Sequence, residues 1–208
     1  MTTVAVGLSG GVDSTLSALL LKEKGYRVIG LSMSIYNRDI PAAHITGNAC
    51  YGPSEKQDIR DIQAWGREND IETHILDLSE PYKATVLKYF REAYLSGQTP
   101  NPCVMCNTVM KFGLLAETAR ERGIAFDYFA TGHYARIARE NNRFILKKGI
   151  DPHKDQSYFL YRLTQDQLAH TLFPLGELTK EHVRQMARDR GLAVADKADS
   201  QDFYAGDY

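Results

Sequence analysis

The sequence predicts a doubly wound α/β protein, a parallel sheet with helices on both faces, followed by a small C-terminal helical extension. Three observations carry this. The apolar run Val4–Leu8 leads into the turn Ser9-Gly10-Gly11-Val12-Asp13-Ser14, and an amphipathic segment opens at Thr15: strand, tight loop, helix. Strand-like runs then alternate with helix-length segments, the pattern of right-handed parallel crossovers. A chain of 208 residues, 43% hydrophobic and 25% charged, is large enough to bury one main core. The expected division is a main domain over residues 1–163 and a helical extension over 164–208.

In order, Thr3 to Leu8 reads as a buried central strand. The helix after it carries Leu16, Leu19 and Leu20 at helical spacing and stops at Gly25. Arg27 to Met33 is a second strand. Ser54 with Gln57 predicts a capping box for a helix that turns Ile59, Ile62 and Trp65 toward the sheet. Thr73 to Leu78 is a third strand, and Pro81 opens a helix through Tyr82, Val86, Tyr89, Phe90 and Tyr94 that closes at Gly97. A loop over 99–107 precedes a helix from about Thr108 to Arg122, with Gly123 as its stop. Phe126 to Thr131 is a fourth parallel strand. Ala135–Ala138 and Arg143–Lys148, joined through Glu140-Asn141-Asn142, read as a hairpin. Helical pieces follow near Gln156–Arg162, Thr164–Thr171 and Thr179–Arg190.

Composition narrows the function. No apolar run is long enough to span a bilayer, and the first residues show no signal-peptide pattern, so a cytoplasmic protein without a membrane partner is expected. A formal net charge of −1 neither announces nor excludes a nucleic-acid partner, because local patches decide that contact. Three cysteines without export signals point to thiol or metal chemistry rather than a disulfide framework.

The Ser9–Ser14 turn is built for an oxyanion. Adjacent glycines let backbone N–H groups approach a ligand, and the start of the next helix adds partial positive charge. Ser9 and Ser14 offer hydroxyl donors, and Asp13 is placed to help hold Mg²⁺ on phosphate oxygens. The loop contains no lysine, so it is not the Gly-Lys-Ser/Thr nucleotide loop. Ser-Gly-Gly-x-Asp-Ser instead resembles the signature of the PP-loop ATP pyrophosphatases, which cleave ATP between its α- and β-phosphates and transfer AMP to a substrate oxygen. Met33, ending the second strand, is either core filling or an adenine contact.

Cys103 and Cys106 flank two residues just before the helix expected from Thr108, where the helix dipole would stabilise a thiolate. Cys-x-x-Cys alone is compatible with zinc, redox chemistry, cluster ligation or two small buried side chains. Zinc needs four ligands, and the one other cysteine is Cys50. Three thiolates suit an iron–sulfur cluster with one open iron at least as well. Gly132, His133 and Arg136 follow the fourth strand, where ligands of such sheets bind. For His133 alone a structural role is the ordinary reading. Lys154-Asp155-Gln156-Ser157-Tyr158 offers groups that read RNA backbone and stack on bases, or else Asp155 and Ser157 simply cap a helix.

Collectively these residues resemble the tRNA-specific 2-thiouridylases. The resemblance rests on Ser9–Ser14, Met33, Thr99-Pro100-Asn101-Pro102, Cys106-Asn107, Lys111-Phe112, Ala130–Tyr134, Lys154–Leu160 and Leu172-Phe173-Pro174-Leu175-Gly176-Glu177. It implies a PP-loop ATP pyrophosphatase domain of the adenine nucleotide alpha hydrolase-like, Rossmann-like type over residues 1–163. It implies that ATP adenylates O2 of a wobble uridine and that sulfur then displaces AMP. Carried over by residue, Gly7, Leu8, Ser9, Gly10, Gly11, Val12, Asp13, Ser14, Met33 and Gly132 bind ATP. Asn101, Pro102 and Cys103 lie at the target base, Cys106 is the nucleophile, and His133 with Lys154, Asp155 and Gln156 contacts tRNA.

Two departures from that family stand out. Its second cysteine, the persulfide carrier, follows an Asp-Ser segment, and here Asp199-Ser200-Gln201-Asp202-Phe203-Tyr204 places Tyr204 there. Conversely, Cys103 stands where many members have aspartate, and Cys50 precedes the Ser54 helix. The expectation is that Cys50, Cys103 and Cys106 hold a 4Fe–4S cluster, with sulfide or a sulfur-carrier protein as donor. The chain also ends at Tyr208, short of the β-rich C-terminal domains of longer members, which implies a truncated chain or a differently held RNA. The competing readings are an adenylating sulfurtransferase or amidotransferase on a small molecule, and a non-catalytic nucleotide- or RNA-binding module.

Overall fold

The computed structural model describes residues 1–36, 49–52, 54–199 and 202–204. Five parallel strands make the central sheet, in the spatial order β4 (Glu72–Asp77), β2 (Arg27–Ser34), β1 (Thr3–Gly7), β5 (Tyr128–Ala130), β8 (Thr171–Leu172). The chain winds outward from β1 in one direction and then in the other. The crevice at the carboxyl ends of β1 and β5 is therefore the topological switch point, where sheets of this kind bind ligands.

Alternation along β1 divides the core into layers. Val4 and Val6 pack with Val28, Ala130, Ala18, Leu21 and Ile62 on one face. Ala5 packs with Leu31, Leu76, Val86, Met110, Leu115 and Phe129 on the other. Helix α1 (Val12–Glu23) lies on the first face beside α2 (Glu55–Glu68). The second face is covered by two long helical runs. One is α3 (Ser79–Tyr82), a π-helical turn (Lys83–Leu87) and α4 (Lys88–Leu95). The other is α5 (Pro102–Met105), a π-helical stretch (Cys106–Leu115) and α6 (Ala116–Glu121). A third cluster, Val12, Leu16, Tyr134, Leu175, Val183 and Ala187, seats α8 (Lys180–Asp189) against α1. The doubly wound parallel architecture is the one read from the sequence. Gly25, Gly97 and Gly123 end their helices at positive φ, as read there too.

Several boundaries differ. Ser54 stands at the helix N-cap position, but its backbone is helical and its side chain makes no cap bond, so there is no capping box. Gln57 instead bonds Asp61 and Arg60 along the helix. The helix assigned to Pro81 starts at Ser79, because Asp77 accepts hydrogen bonds from the Ser79 N–H and hydroxyl at 3.0 and 2.7 Å and fixes the turn. The helix assigned to Thr108 starts six residues earlier, at Pro102: Asn101 caps it by accepting from the Val104 N–H, and Pro102 fills the first helical position. The helix read over Thr164–Thr171 is α7 (Gln165–Ala169), opened by a Thr164–Gln167 capping box, and Thr171 with Leu172 forms the fifth strand of the sheet.

The predicted hairpin is present as β6 (Ala135–Glu140) and β7 (Arg143–Lys148), turned through Asn141 and Asn142 at φ +47° and +61°. Two adjacent left-handed residues give the tight turn whose twist matches its strands, and asparagine is the side chain that tolerates it best after glycine. A 3₁₀ turn (Ser157–Phe159) replaces the helix expected there. Finally β3 (Ala49–Tyr51) and β9 (Asp202–Tyr204) form a separate parallel pair, with Tyr51 opposite Tyr204. Ser200 and Gln201 lie outside the described residues.

Candidate active site

Two structures open at the carboxyl end of the sheet, and each grows from a sequence signal. The first is the glycine turn. Leu8 still donates to Leu31 on β2 at 2.7 Å, so the loop leaves β1 at Ser9. Gly10 then turns at φ +72°, a conformation in which any other side chain is strained. Ser14 closes the loop on itself: its hydroxyl accepts from the Ser9 N–H, pairs with the Ser9 hydroxyl and donates to the Gly11 carbonyl, each at 3.2 Å. Gly11 is the N-cap of α1 and carries no capping side chain. The first turn of a three-turn helix is thus left open to an anion at the switch point.

Asp13 is held from two sides. The Lys180 ammonium lies 2.8 and 2.7 Å from its two oxygens, and the Tyr134 hydroxyl donates to it at 2.8 Å. Lys180 also reaches Asp199 at 2.8 Å, and Asp199 is shared with Lys154 at 2.7 Å and Arg184 at 3.3 Å. Burial alone would raise the Asp199 carboxyl, but hydrogen bonds from Lys154 and Lys180 outweigh it and hold the group below the usual carboxylate range. Lys197 adds a second cation at the loop, 3.2 Å from the Gly10 carbonyl and 2.8 Å from Asp58. The loop has no lysine of its own, and two arrive from the C-terminal segment. Neither was legible in the sequence, although Thr179 ahead of a strongly amphipathic helix is the signal that puts Lys180 in a helix's first turn.

The second structure is the thiol helix. Cys103 and Cys106 lie inside a helix rather than ahead of it, which changes their chemistry. The expected dipole stabilisation does not prevail. Burial pushes both thiols up, Cys106 to about 11, and the Lys111 ammonium only partly opposes this. Cys50 and Cys103 raise Cys106 further by their own charge, and all three sulfurs act on the buried Tyr82 phenol, so the three cysteines share one neighbourhood. Cys50 is exposed, and Cys103 and Cys106 are half-buried. Among the described residues no three His, Cys, Asp or Glu side chains converge on a single-ion site. Next to Cys106, the Asn107 side-chain oxygen is buried without a hydrogen-bond partner.

Gly132 and His133 join the two structures. A β-carbon on Gly132 would stand 2.7 Å from the Asp13 backbone and 2.8 Å from the Ser14 nitrogen, so the close approach this glycine permits is to α1 itself. His133 bonds Thr131 at 2.7 Å through Nδ1 and packs its ring against Phe112 and Phe173. Burial, and then the charge of Lys111, hold it well below the ordinary histidine range, so it is neutral at physiological pH. Lys111 thus faces both His133 and Cys106.

The other expected contacts are engaged within the fold. Met33 packs partly buried against the core. Lys154 pairs with Asp199, and Asp155 accepts from Gly149, from the Ser157 N–H and from the Ser157 hydroxyl, the capping alternative of the sequence reading. Gln156 accepts from the Tyr134 N–H. Arg136 donates to the Lys148 carbonyl and pairs with Glu177 on the hairpin side.

Comparison with known proteins decides the family. A protein-family model described as "tRNA methyl transferase HUP domain" matches residues 2–204. The chain belongs to that family. The similar curated relatives are named tRNA-specific 2-thiouridylase MnmA. One from Endomicrobium trichonymphae is 48% identical over 208 residues, 99% of this chain and 58% of the relative. One from Leptospira interrogans is 46% identical over 96% of this chain and 52% of the relative, and one from Caldanaerobacter subterraneus is 47% identical over 96% and 54%. The resemblance read from the motifs is therefore borne out, and the chain spans a little over half the length of these relatives. Among solved structures, a 4-thiouridine synthetase in complex with RNA and bound ATP shares the fold at a TM-score of 0.60, with 15% identity over 97% of this chain and 44% of the other. NMN synthetase from Francisella tularensis shares it at 0.54, with 18% identity over 96% and 66%.

Proposed function

We propose that this chain is the ATP-using, thiol-bearing part of a tRNA-uridine 2-sulfurtransferase, with residues 1–163 as the pyrophosphatase domain and 164–208 as an extension that supplies cations to its loop. The observation that carries the reading is the meeting of an uncapped helix start and a thiol helix at one switch point, bridged by Gly132, His133 and Lys111. In this reading O2 of the uracil attacks the α-phosphorus of ATP, the bond to the β-phosphate breaks, and pyrophosphate leaves into the glycine turn. Sulfur then attacks C2, and AMP departs with the former O2. A carbonyl oxygen is a poor leaving group, and attachment of AMP makes it a good one.

Gly10, Gly11 and the first N–H groups of α1 receive the departing charge, with Lys180 close enough to share it. Asp13 is the carboxylate that would hold Mg²⁺, which adds positive charge on the phosphate oxygens when bound. Asn101, Pro102 and Cys103 face the target base, and the unsatisfied Asn107 oxygen leaves an acceptor open beside Cys106. Such a buried group is costly, about 1–3 kcal/mol, until a donor arrives. Cys50, Cys103 and Cys106 are the residues that would hold a 4Fe–4S cluster, which would supply an open iron for incoming sulfide. The location is cytoplasmic, in keeping with the absence, among the described residues, of a helix long and apolar enough to cross a membrane.

The test is ATP turnover to AMP and pyrophosphate, with and without tRNA, together with mass analysis of the RNA. Turnover that needs tRNA, with sulfur appearing at C2 of the uridine, is the expected result. Turnover that needs a small acid instead selects the small-molecule reading, and no turnover selects a binding module. Protein purified anaerobically is expected to contain iron that Cys50→Ala loses. Iron-free protein with full activity in Cys50→Ala rules the cluster out.

A further inference from the structure

A recess of about 130 Å³ lies beside the thiol helix, apart from the glycine turn and from Cys106, His133 and Lys111. Its walls are Tyr89 from α4, Asn101 at the start of α5, and Tyr158, Tyr161 and Arg162 around the 3₁₀ turn, with Met105 among its apolar lining. Asn101 is fixed twice: its N–H donates to the Tyr89 hydroxyl at 3.3 Å, and its side chain accepts from Val104 at 3.2 Å. The wall is therefore rigid on the helix side. On the open side two aromatic rings stand in solvent, Tyr158 at 57% exposure and Tyr161 at 70%. The Tyr158 ring is braced by Phe159 at a centroid distance of 3.9 Å. Arg162 has no carboxylate partner among the described residues.

The chemistry of this set is narrow. Phenol rings offer flat apolar faces, a guanidinium offers a cation that stacks on rings or pairs with phosphate, and the volume admits about one planar ring. That is the combination by which proteins hold splayed bases of single-stranded RNA. The occupant is not ATP, because the recess includes no residue of the glycine turn and none from the ends of β1, β2 or β5. Neither is it the reacting uracil, because Cys106, His133 and Lys111 do not line it. It shares Asn101 with the target-base loop, however, and the Tyr158 phenol is raised first by partial burial and then by the nearby Cys103 sulfur. The recess thus adjoins the Asn101–Cys103 segment assigned to the target base.

We propose that the recess formed by Tyr89, Asn101, Tyr158, Tyr161 and Arg162 stacks the base of the nucleotide flanking the reacting uridine, with Arg162 on the adjoining phosphate. This deepens the reading given above and rests on it. Stacking the neighbour pulls the anticodon strand out of its own stack and presents the uridine edge-on to the thiol helix.

The probe is an anticodon stem-loop RNA with 2-aminopurine, whose fluorescence falls on stacking, in place of the nucleotide on either side of the target uridine. Wild-type protein is expected to quench one of the two probes. Tyr158→Ala or Tyr161→Ala is expected to lose the quenching and to raise the KM for RNA about tenfold, within the range for removing one stacking ring. Tyr158→Phe and Tyr161→Phe keep the rings and are expected to keep the quenching. A wild-type protein that binds and thiolates RNA without quenching either probe, or alanine variants that quench as it does, overturns the proposal and leaves the functional reading intact. ATP turnover that ignores RNA and requires a small acid overturns both.

Discussion

Cys106 shows how far a single residue can depart from what its sequence neighbourhood implies. A cysteine beside a proline-stiffened loop promises a thiolate at a helix start. Here Asn101 and Pro102 move that start upstream, the thiol sinks between helices, and burial pushes it to about 11. The thiol of the metal-free protein is therefore protonated at pH 8, and its reactivity is gated by whatever supplies positive charge. Alkylation of Cys106 by iodoacetamide, followed by peptide mass mapping across pH, is expected to rise with a midpoint near 11. Lys111→Met should move that midpoint higher, because the nearby ammonium favours the thiolate; a midpoint near the ordinary cysteine value would contradict the burial argument. His133 reads the other way. Its neutral state follows from burial and from the same lysine, so it serves as a hydrogen-bonding group rather than as a cation for phosphate.

At the level of elements, the helices that build the site are not regular. Both runs on the thiol face pass through π-helical turns, Lys83–Leu87 and Cys106–Leu115. Thr85 and Thr108 donate their hydroxyls to carbonyls four residues back, at 2.7 and 2.9 Å, and such bonds loosen the helical ladder. π-turns gather at functional sites, and here one presents Cys106, Asn107 and Lys111. Nothing in the hydrophobic period reveals this, since apolar spacing at three and four residues fits α and π turns alike. The strand–turn–helix at Ser9–Ser14 was fully legible, because glycine pairs and helix starts have local causes. The fifth strand was not. Thr171–Leu172 is two residues long, and its pairing with Phe129 and Ala130 is a tertiary fact. The joint that bears on the glycine turn is Gly132 against the start of α1. Gly132→Ala must push the loop backbone, at about 1–3 kcal/mol for overpacking. It is expected to lower the urea midpoint and to raise the KM for ATP in pyrophosphate exchange. An unchanged KM would mean that this joint does not set the loop.

For the molecule as a whole, the decisive link joins residues far apart in sequence. Lys180 lies 167 residues from Asp13, yet its ammonium, in a residue only 8% exposed, ties α8 to the glycine turn. Lys180→Met leaves Asp13 and Asp199 without their shared cation, and the expected loss is about 3 kcal/mol in chemical denaturation. The pH dependence follows from Asp199. Its carboxyl is lowered in the fold, so it contributes stability above about pH 4, the unfolded carboxylate value, and loses it as pH falls through the lowered folded value. Wild type should therefore weaken below about pH 4 more steeply than Lys180→Met, and equal slopes would contradict the link. No local pattern announced this contact, because a lysine in a polar helix turn looks solvated until the fold brings two carboxylates to it. The small ladder of β3 and β9 has a consequence of the same kind. Asp202–Tyr204 runs parallel to Ala49–Tyr51, one strand spacing of about 4.8 Å away. Side chains alternate along a strand, so Cys50 leaves the ladder on the face opposite the buried Tyr51 ring, where a reagent in solvent reaches it before the half-buried Cys103 and Cys106.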